Sequence, residues 1–171
     1  MVVGGALVVA YLIQLTSLQA FRIPSDSMLP TLQRGDRVLV NKWSYRAHDV
    51  HRGDVVVFSR PPEVTDASID DLIKRVVGLP GERVSITGGH VEIDGQPLDE
   101  AYLPSHTRTD PVGPITCPPE DPCVIPDGQV WVMGDNRGHS EDSRWFGPIP
   151  ESTIVGRASA RIWPPSRLDG L

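Results

Sequence analysis

Proline and glycine recur so often along this chain that they constrain its fold more than any other feature. The 171 residues include 17 prolines and 16 glycines, nearly a fifth of the total. Proline removes a helical hydrogen bond and glycine weakens a helix interior, whereas both residues suit the turns between short strands. We therefore expect a mostly β fold rather than a bundle of long helices.

Segments that alternate in hydrophobicity, or are rich in β-branched residues, and that end at turn residues predict the strands. Thr87-Gly88-Gly89 lies between two of them and is typical of a hairpin turn. The predicted strands are Asp36–Asn41, Asp54–Phe58, Leu72–Val77, Arg83–Ile86, His90–Ile93, Gln129–Met133 and Ile154–Trp163.

The N-terminus differs from the rest of the chain. Residues 1–20 contain no charged side chain and are mostly apolar, and a helix of about 20 such residues spans the hydrocarbon core of a bilayer. A buried core helix is the alternative. A cleaved leader is disfavoured because a basic start and a small-residue cleavage site are lacking. We predict a transmembrane helix over 1–20 and one domain over 21–171, a coiled, barrel-like antiparallel sheet.

The charge of the chain bears on its partners. The formal net charge is −6. A nucleic-acid partner is not expected, because binding phosphates requires clustered Lys and Arg. The sequence does not predict the oligomeric state.

Two cysteines, Cys117 and Cys123, flank a short proline-rich segment. Outside the cytoplasm they would be expected to form a local disulfide, and two free thiols are the alternative. Metal-site spacing is lacking, so no metal and no other cofactor is predicted. The surrounding region, 99–126, is predicted to be a long surface loop that is mobile in part and whose role is open.

Four segments carry a more specific signal: PSDSMLPTL at 24–32, RGDRVLVNK at 34–42, IKRVVGLPGE at 73–82 and MGDNRGHSEDSR at 133–144. In this order they resemble the type I signal peptidase family, over nearly the whole chain. The resemblance implies a membrane-bound serine endopeptidase that removes signal peptides after Ala-x-Ala-like sites through an acyl-enzyme. It also implies a catalytic domain on the outer face of the cell membrane, which acts on preproteins emerging from the secretion translocon.

The resemblance assigns the site residue by residue. Ser27 matches the nucleophile, Lys74 the general base, Ser25 the oxyanion-binding hydroxyl and Ser140 the serine that orients the lysine. Met28 is expected to line a substrate pocket, and a core methionine is the alternative. The supporting residues are Asp135, Asn136 and Arg137 of the GDNR turn and the predicted ion pair of Asp142 with Arg144.

The chemistry of Lys74 is consistent with this assignment. A lysine acts as a base only when an apolar environment keeps it neutral, and Lys74 is flanked by Leu72, Ile73, Val76 and Val77. Strand alternation predicts that Arg75 lies on the opposite face, in solvent.

Three other classes of protein were weighed. A self-cleaving repressor with a Ser-Lys dyad would carry a DNA-binding helix-turn-helix where this chain is apolar. A cysteine or metal hydrolase lacks a partner pattern for the two cysteines. A membrane-anchored β domain that only binds partners explains the strands equally well, but not the presence of both Ser27 and Lys74 in their motifs.

Overall fold

Two antiparallel sheets form the fold. A computed structural model of the chain describes residues 17–110 and 112–171. The strands are β1 (Leu18–Arg22), β2 (Arg37–Asn41), β3 (Val55–Ser59), β4 (Asp71–Gly78), β5 (Arg83–Thr87), β6 (His90–Ile93), β7 (Gln96–Pro97), β8 (Cys123–Val124), β9 (Gln129–Met133), β10 (Ile149–Pro150), β11 (Ile154–Trp163) and β12 (Asp169–Gly170). The short helices are α1 (Ser44–Ala47), α2 (Ser143–Phe146) and two 3-10 turns, Glu151–Thr153 and Pro165–Arg167.

The larger sheet has eight strands in the order β1-β2-β11-β3-β4-β9-β10, with β12 paired to β11. The smaller sheet has the order β7-β6-β5-β8. β1 and β10 lie at the two ends of the larger sheet, so the described strands form an open sheet rather than a closed barrel. All seven predicted strands are present within one or two residues of their predicted bounds, which confirms the mostly β class.

The predicted N-terminal helix is wrong at its C-terminal end. Leu18–Arg22 is a strand whose residues pair with Arg37–Asn41 of β2, Leu18 with Asn41 and Arg22 with Arg37. Pairing with β2 satisfies the backbone groups of this segment, and this tertiary gain outweighs its apolar, helix-compatible composition. The remainder of the prediction, 1–16, lies outside the described residues. No helix within the described part of the chain is long and apolar enough to cross a membrane.

The core consists of three clusters, and each lies beside a segment of the site. The first contains Ile23, Met28 and Leu32 around the nucleophile motif, packed on Val38, Val40 and Val57 of the larger sheet. The second packs Val56 and Phe58 of β3 against Val76, Val130 and Val132. The third joins Val77 and Trp131 to the smaller sheet and to Cys117. The nucleophile segment is thereby seated on a fully buried support.

Region 99–126 contacts the rest of the fold at several points. Cys117 and Cys123 form a disulfide with their Cα atoms 5.1 Å apart, and β8 pairs with Arg83 and Val84 of β5. Buried arginines of the GDNR–DSR segment also bond to this region, as described below. Strand pairing and side-chain contacts thus replace the regular hydrogen bonding that most of this segment lacks, and its partial mobility stays a prediction.

Candidate active site

The nucleophile and the base predicted from the sequence are in hydrogen-bonding contact. Lys74 Nζ donates to Ser27 Oγ at 3.0 Å and to the Ile73 carbonyl oxygen at 3.0 Å. Ser27 lies in the irregular segment between β1 and β2, and Lys74 lies in β4, 47 residues further along the chain. A general base must be within about 2.6–3.2 Å of the proton that it accepts, and this pair meets that requirement.

Burial controls the charge of Lys74. Lys74 is only 4% exposed, and in the sheet it lies opposite Val56 of β3. Removal from water penalises the ammonium form and lowers the pKa of Lys74 from 10.5 to about 8. The carboxylates of Asp142, Glu141 and Asp135, in that order, act in the opposite direction and keep the pKa from falling further. A neutral amine is therefore well populated near pH 8.

Arg75 is buried, which corrects the prediction that it faces solvent. Its Nε and Nη2 donate to the two carboxylate oxygens of Asp135 at 2.9 and 2.7 Å, and its Nη1 donates to the Gly53 carbonyl oxygen. The guanidinium also lies 4.1 Å from the ring centroid of Tyr102. Strand alternation does place it on the face opposite Lys74, but that face is covered by other segments of the chain. Alternation in a sequence indicates the face of the strand on which a side chain lies, but not whether other segments of the chain cover that face.

Asp135 connects the lysine strand to the nucleophile motif. Besides binding Arg75, its Oδ2 accepts a hydrogen bond of 2.5 Å from Thr31 Oγ1, in the PTL part of the motif. The Asp135 side chain is fully buried. The predicted supporting role of Asp135 thus takes the form of a bridge between two catalytic segments.

Asn136 holds the backbone on either side of the nucleophile. Its main-chain N–H donates to the Ser27 carbonyl oxygen at 3.0 Å, and its Nδ2 donates to the Asp26 carbonyl oxygen at 3.0 Å. These two bonds fix the orientation of the peptide groups adjacent to Ser27. Such positioning matters because small displacements of a nucleophile are costly in rate.

Arg137 points away from Ser27 and fastens region 99–126. Its guanidinium is almost fully buried and bonds to Glu100, to Thr109 Oγ1 and to the Gly134 carbonyl oxygen. Removing the cation would leave the Glu100 carboxylate without its counter-charge and the Thr109 hydroxyl without this donor. Its supporting role is therefore to attach the long loop to the catalytic turn.

Asp142 and Arg144 form a bidentate ion pair, with Nε to Oδ1 at 2.9 Å and Nη2 to Oδ2 at 2.7 Å. Both side chains are completely buried. Asp142 also accepts from the Gly134 N–H at 3.0 Å and caps α2 through the Arg144 N–H. The pair therefore fixes the turn that carries Ser140, as a structural ion pair beside the site would.

Ser25 lies next to the nucleophile. Its Oγ is 3.2 Å from Ser27 Oγ, and either oxygen could be the donor. Ser25 remains half-buried while Ser27 is buried, so its hydroxyl is at the edge of the space where a substrate carbonyl would lie.

Ser140 is close to the site but does not contact Lys74 through a hydrogen bond. Its Oγ is buried and has no partner among the described residues. A Cβ on Gly134 would strike both Ser140 Oγ and the Ser27 carbonyl oxygen, so these two groups are neighbours and only glycine fits between them. The orienting role of Ser140 stays a prediction.

Met28 is a core residue, which corrects its prediction as a pocket residue. It is fully buried in the cluster of Ile23, Leu32 and Val38 and does not line the groove at the nucleophile. Its position directly after Ser27 suggested exposure to substrate. The chain turns there, however, and the side chain is directed into the core.

Ser27 and Lys74 both line a groove. Its other lining residues are Phe21–Ser25, Val57, Asp66, Ser68, Ile69 and Asp71–Ile73. The groove is mostly apolar where Phe21, Ile23, Leu72 and Ile73 line it.

The groove borders an unpaired strand edge. β4 pairs with β3 from Asp71 to Arg75 but with β9 only from Arg75 to Gly78. Among the described strands, the half of β4 that faces the groove therefore has one free edge. Such an edge can accept an added strand.

Several residues that build the site were not predicted from the sequence. Thr31 follows Ser27 closely in sequence, whereas Glu100, Tyr102 and Thr109 lie in region 99–126, and these residues contact Asp135, Arg137 or Arg75. Thr31 was within a recognised motif, which was the available signal. In the described ranges, 17–110 and 112–171, no three His, Cys, Asp or Glu side chains are grouped as metal ligands.

Comparison with known proteins identifies the family. The model of the family described as "Signal peptidase, peptidase S26" matches residues 1–163. The chain belongs to the signal peptidase family, peptidase S26. It is therefore a signal peptidase, a serine protease.

Relatives extend this result. A probable signal peptidase I-1 from Synechocystis sp. is 46% identical over 95% of this chain and 80% of its own length. A signal peptidase IB from Staphylococcus aureus is 36% identical over 95% and 86%, respectively. The crystal structure of a signal peptidase I from Enterococcus faecalis matches with a TM-score of 0.51 at 26% identity, covering 66% of this chain and 98% of that one.

Replacing Lys74 by Met should stabilise the protein near neutral pH. Because burial holds the folded-state pKa near 8, below the ordinary 10.5, folding at pH 7 carries the cost of a charged buried amine. For this shift the cost is about 3 kcal/mol, and it diminishes as the pH rises from 8 to 10.5. We expect Lys74→Met to raise the free energy of unfolding in urea at pH 7 by up to that amount and to lose most of the gain by pH 10. Lys42→Met, at an exposed lysine, should have no such effect; equal effects of the two variants would contradict the account.

Replacing Asp135 by Ala should destabilise the fold strongly. The change leaves the buried Arg75 guanidinium without a counter-charge, which typically costs about 3–5 kcal/mol. Asp169→Ala is the matched control, because that carboxylate is 72% exposed beside Arg161 and should contribute less than about 1 kcal/mol. Both are measured as free energies of unfolding in urea, and a loss below 1 kcal/mol for Asp135→Ala would show that the bridge is not structural.

Proposed function

We propose that this enzyme removes signal peptides from exported preproteins with Ser27 as nucleophile and Lys74 as general base. The observation that carries the proposal is the 3.0 Å contact between Lys74 Nζ and Ser27 Oγ. The low pKa of Lys74 supports it, since the amine must be neutral to accept the serine proton.

The reaction proceeds in two halves. Lys74 takes the Ser27 proton while Oγ attacks the scissile carbonyl carbon, and the proton then passes to the departing amine as the C–N bond breaks. The Ser27 N–H and the Ser25 hydroxyl bind the oxyanion, and an oxyanion donor typically contributes about 3 kcal/mol. Lys74 next activates a water, which releases the acyl group from Ser27. Ser140 orients the lysine amine through a hydrogen bond formed as substrate arrives.

The substrate binds as an extended strand in the groove. The free edge of β4 at Asp71–Lys74 supports this mode, because main-chain bonds hold an added strand with little demand on side chains. Small residues of an Ala-x-Ala type precede the cut, where Ile73 and Val57 narrow the groove.

The chain is anchored in the membrane by its apolar N-terminus, and the catalytic domain begins with β1 rather than at residue 21. Because β1 begins at Leu18, the anchoring segment ends before that residue. Ser27 follows within ten residues, so nucleophile and membrane-tethered preprotein are confined to one surface, which raises their effective concentration. The catalytic domain is on the outer face, where preproteins leave the translocon; the Cys117–Cys123 disulfide supports an oxidising compartment.

Cleavage of a preprotein with an Ala-x-Ala site, in detergent, tests the dyad. We expect the wild type to cut after the second Ala, and folded Ser27→Ala and Lys74→Ala to lose at least about a thousandfold in kcat/KM. Thr153→Ala, at a half-buried 3-10 turn outside the groove, should retain full activity. A folded Lys74→Ala that still cuts well would exclude Lys74 as the base. A binding module would show no cleavage by the wild type.

A further inference from the structure

A second depression lies beside the nucleophile and shares no lining residue with the groove. Its lining consists of Val112, Gly138, His139, Ser140, Glu141 and Trp145. Ser140 connects the depression to the catalytic centre. A Cβ added to Gly134 would clash with both Ser140 Oγ and the Ser27 carbonyl oxygen, so these two atoms are close neighbours. A peptide that is cut at Ser27 must continue past Ser27 in one direction, and this depression begins there.

We propose that this depression binds the leaving half of the substrate, the first residues of the mature protein, with Trp145 as the main contact. The inference rests on the proposed function, because it assigns a binding site to the half of the peptide substrate that the groove does not hold. The groove holds the acyl half, which must stay bound through both chemical steps, while the leaving half needs its own contact only until the amine departs.

Trp145 is held firmly although its ring is open to solvent. The residue is 46% exposed, but its main-chain N–H donates to the Asp142 carbonyl oxygen at 2.7 Å, at the start of α2. The neighbouring Arg144 carbonyl oxygen accepts from the Ile115 N–H at 3.0 Å, and Gly113 packs so closely that a Cβ there would meet the Trp145 ring. A rigidly held, half-exposed aromatic ring suits a flat binding surface.

Two polar features point to a peptide as occupant. Ser140 Oγ is buried and has no partner among the described residues, so it is available to the peptide group next to the scissile bond. Glu141 is exposed at the rim and is one of the carboxylates that act on Lys74. Its negative charge favours the cationic amino group that the cut creates. This also gives the region 99–126 a role, because Val112 lines the depression and Gly113 packs against Trp145.

The assignment can be tested by measuring how the acyl-enzyme partitions between water and an added amine, with a substrate that has no residues after the cut. An Ala-x-Ala peptide ester with a small alcohol as leaving group has no residues after the cut, yet acylates Ser27. An added amino-acid amide then competes with water: its nitrogen bonds to the acyl carbon, the Ser27 Oγ–carbon bond breaks, and the amine proton returns through Lys74 to Ser27. The ratio of amide product to acid product measures binding of the amine beside Ser27.

We expect Trp145→Ala to lower this ratio by roughly tenfold for leucinamide, the loss of one aromatic contact. Trp163→Ala, at a similarly exposed tryptophan at the end of β11, should change neither this ratio nor the hydrolysis rate without added amine. When argininamide and glutaminamide are each used as the added amine, Glu141→Gln should lower the yield of the argininamide product relative to that of the glutaminamide product, compared with the wild type.

An unchanged partition ratio in Trp145→Ala would overturn the inference, as would an equal fall in Trp163→Ala. Failure of the wild type to form any acyl-enzyme on Ser27 would instead contradict the proposed function, so the two failures are distinguishable. A folded Trp145→Phe should recover most of the ratio, which separates a binding surface from a merely structural side chain.

Discussion

Burial of the Lys74 amine against the Ser27 hydroxyl is the interaction on which the rest of the site depends. Water is removed from Lys74 by packing between β3 and the nucleophile segment, and this lowers its pKa to about 8. The same burial weakens the fold near neutral pH, because folding favours an uncharged amine. The enzyme thus gives up stability at one residue to obtain a base, as expected where chemistry requires a shifted pKa.

Three buried ion pairs stabilise the segments that deliver this contact. Asp135 pairs with Arg75 and accepts a hydrogen bond from Thr31. Arg144 pairs with Asp142, which accepts from the Gly134 N–H. Arg137 pairs with Glu100 of the long loop. The Arg75–Asp135 and Arg137–Glu100 pairs connect segments distant in sequence, so these charges specify which segments meet, whereas the Asp142–Arg144 pair fixes a local turn. A buried pair contributes little to net stability while intact, but loss of one partner is costly. This explains why a polar turn can act as the rigid support of a catalytic pair.

The sequence predicted the mostly β class and all seven longer strands, because periodicity is local in the chain. Its motifs also contain Ser27 and Lys74, which the fold brings into hydrogen-bonding contact, while their roles as nucleophile and base stay predictions. The failures concern tertiary context. Leu18–Arg22 is a strand because β2 pairs with it, Arg75 is buried because other segments cover its face, and Met28 enters the core because the chain turns after Ser27. The anchoring of region 99–126 by Arg137 could not be read from a segment without periodicity.

Direct titration of the lysine amines tests the central claim. Lys42 and Lys74 are the only lysines of the chain, so lysine labelled with ¹⁵N gives two side-chain signals, which Lys42→Arg assigns. The account predicts a pKa near 8 for Lys74, well below the 10.5 of an ordinary lysine amine. It also predicts that kcat/KM rises with pH through the Lys74 value. Two indistinguishable titrations near pH 10.5 would show that Lys74 is charged in the resting enzyme and would contradict its role as the base.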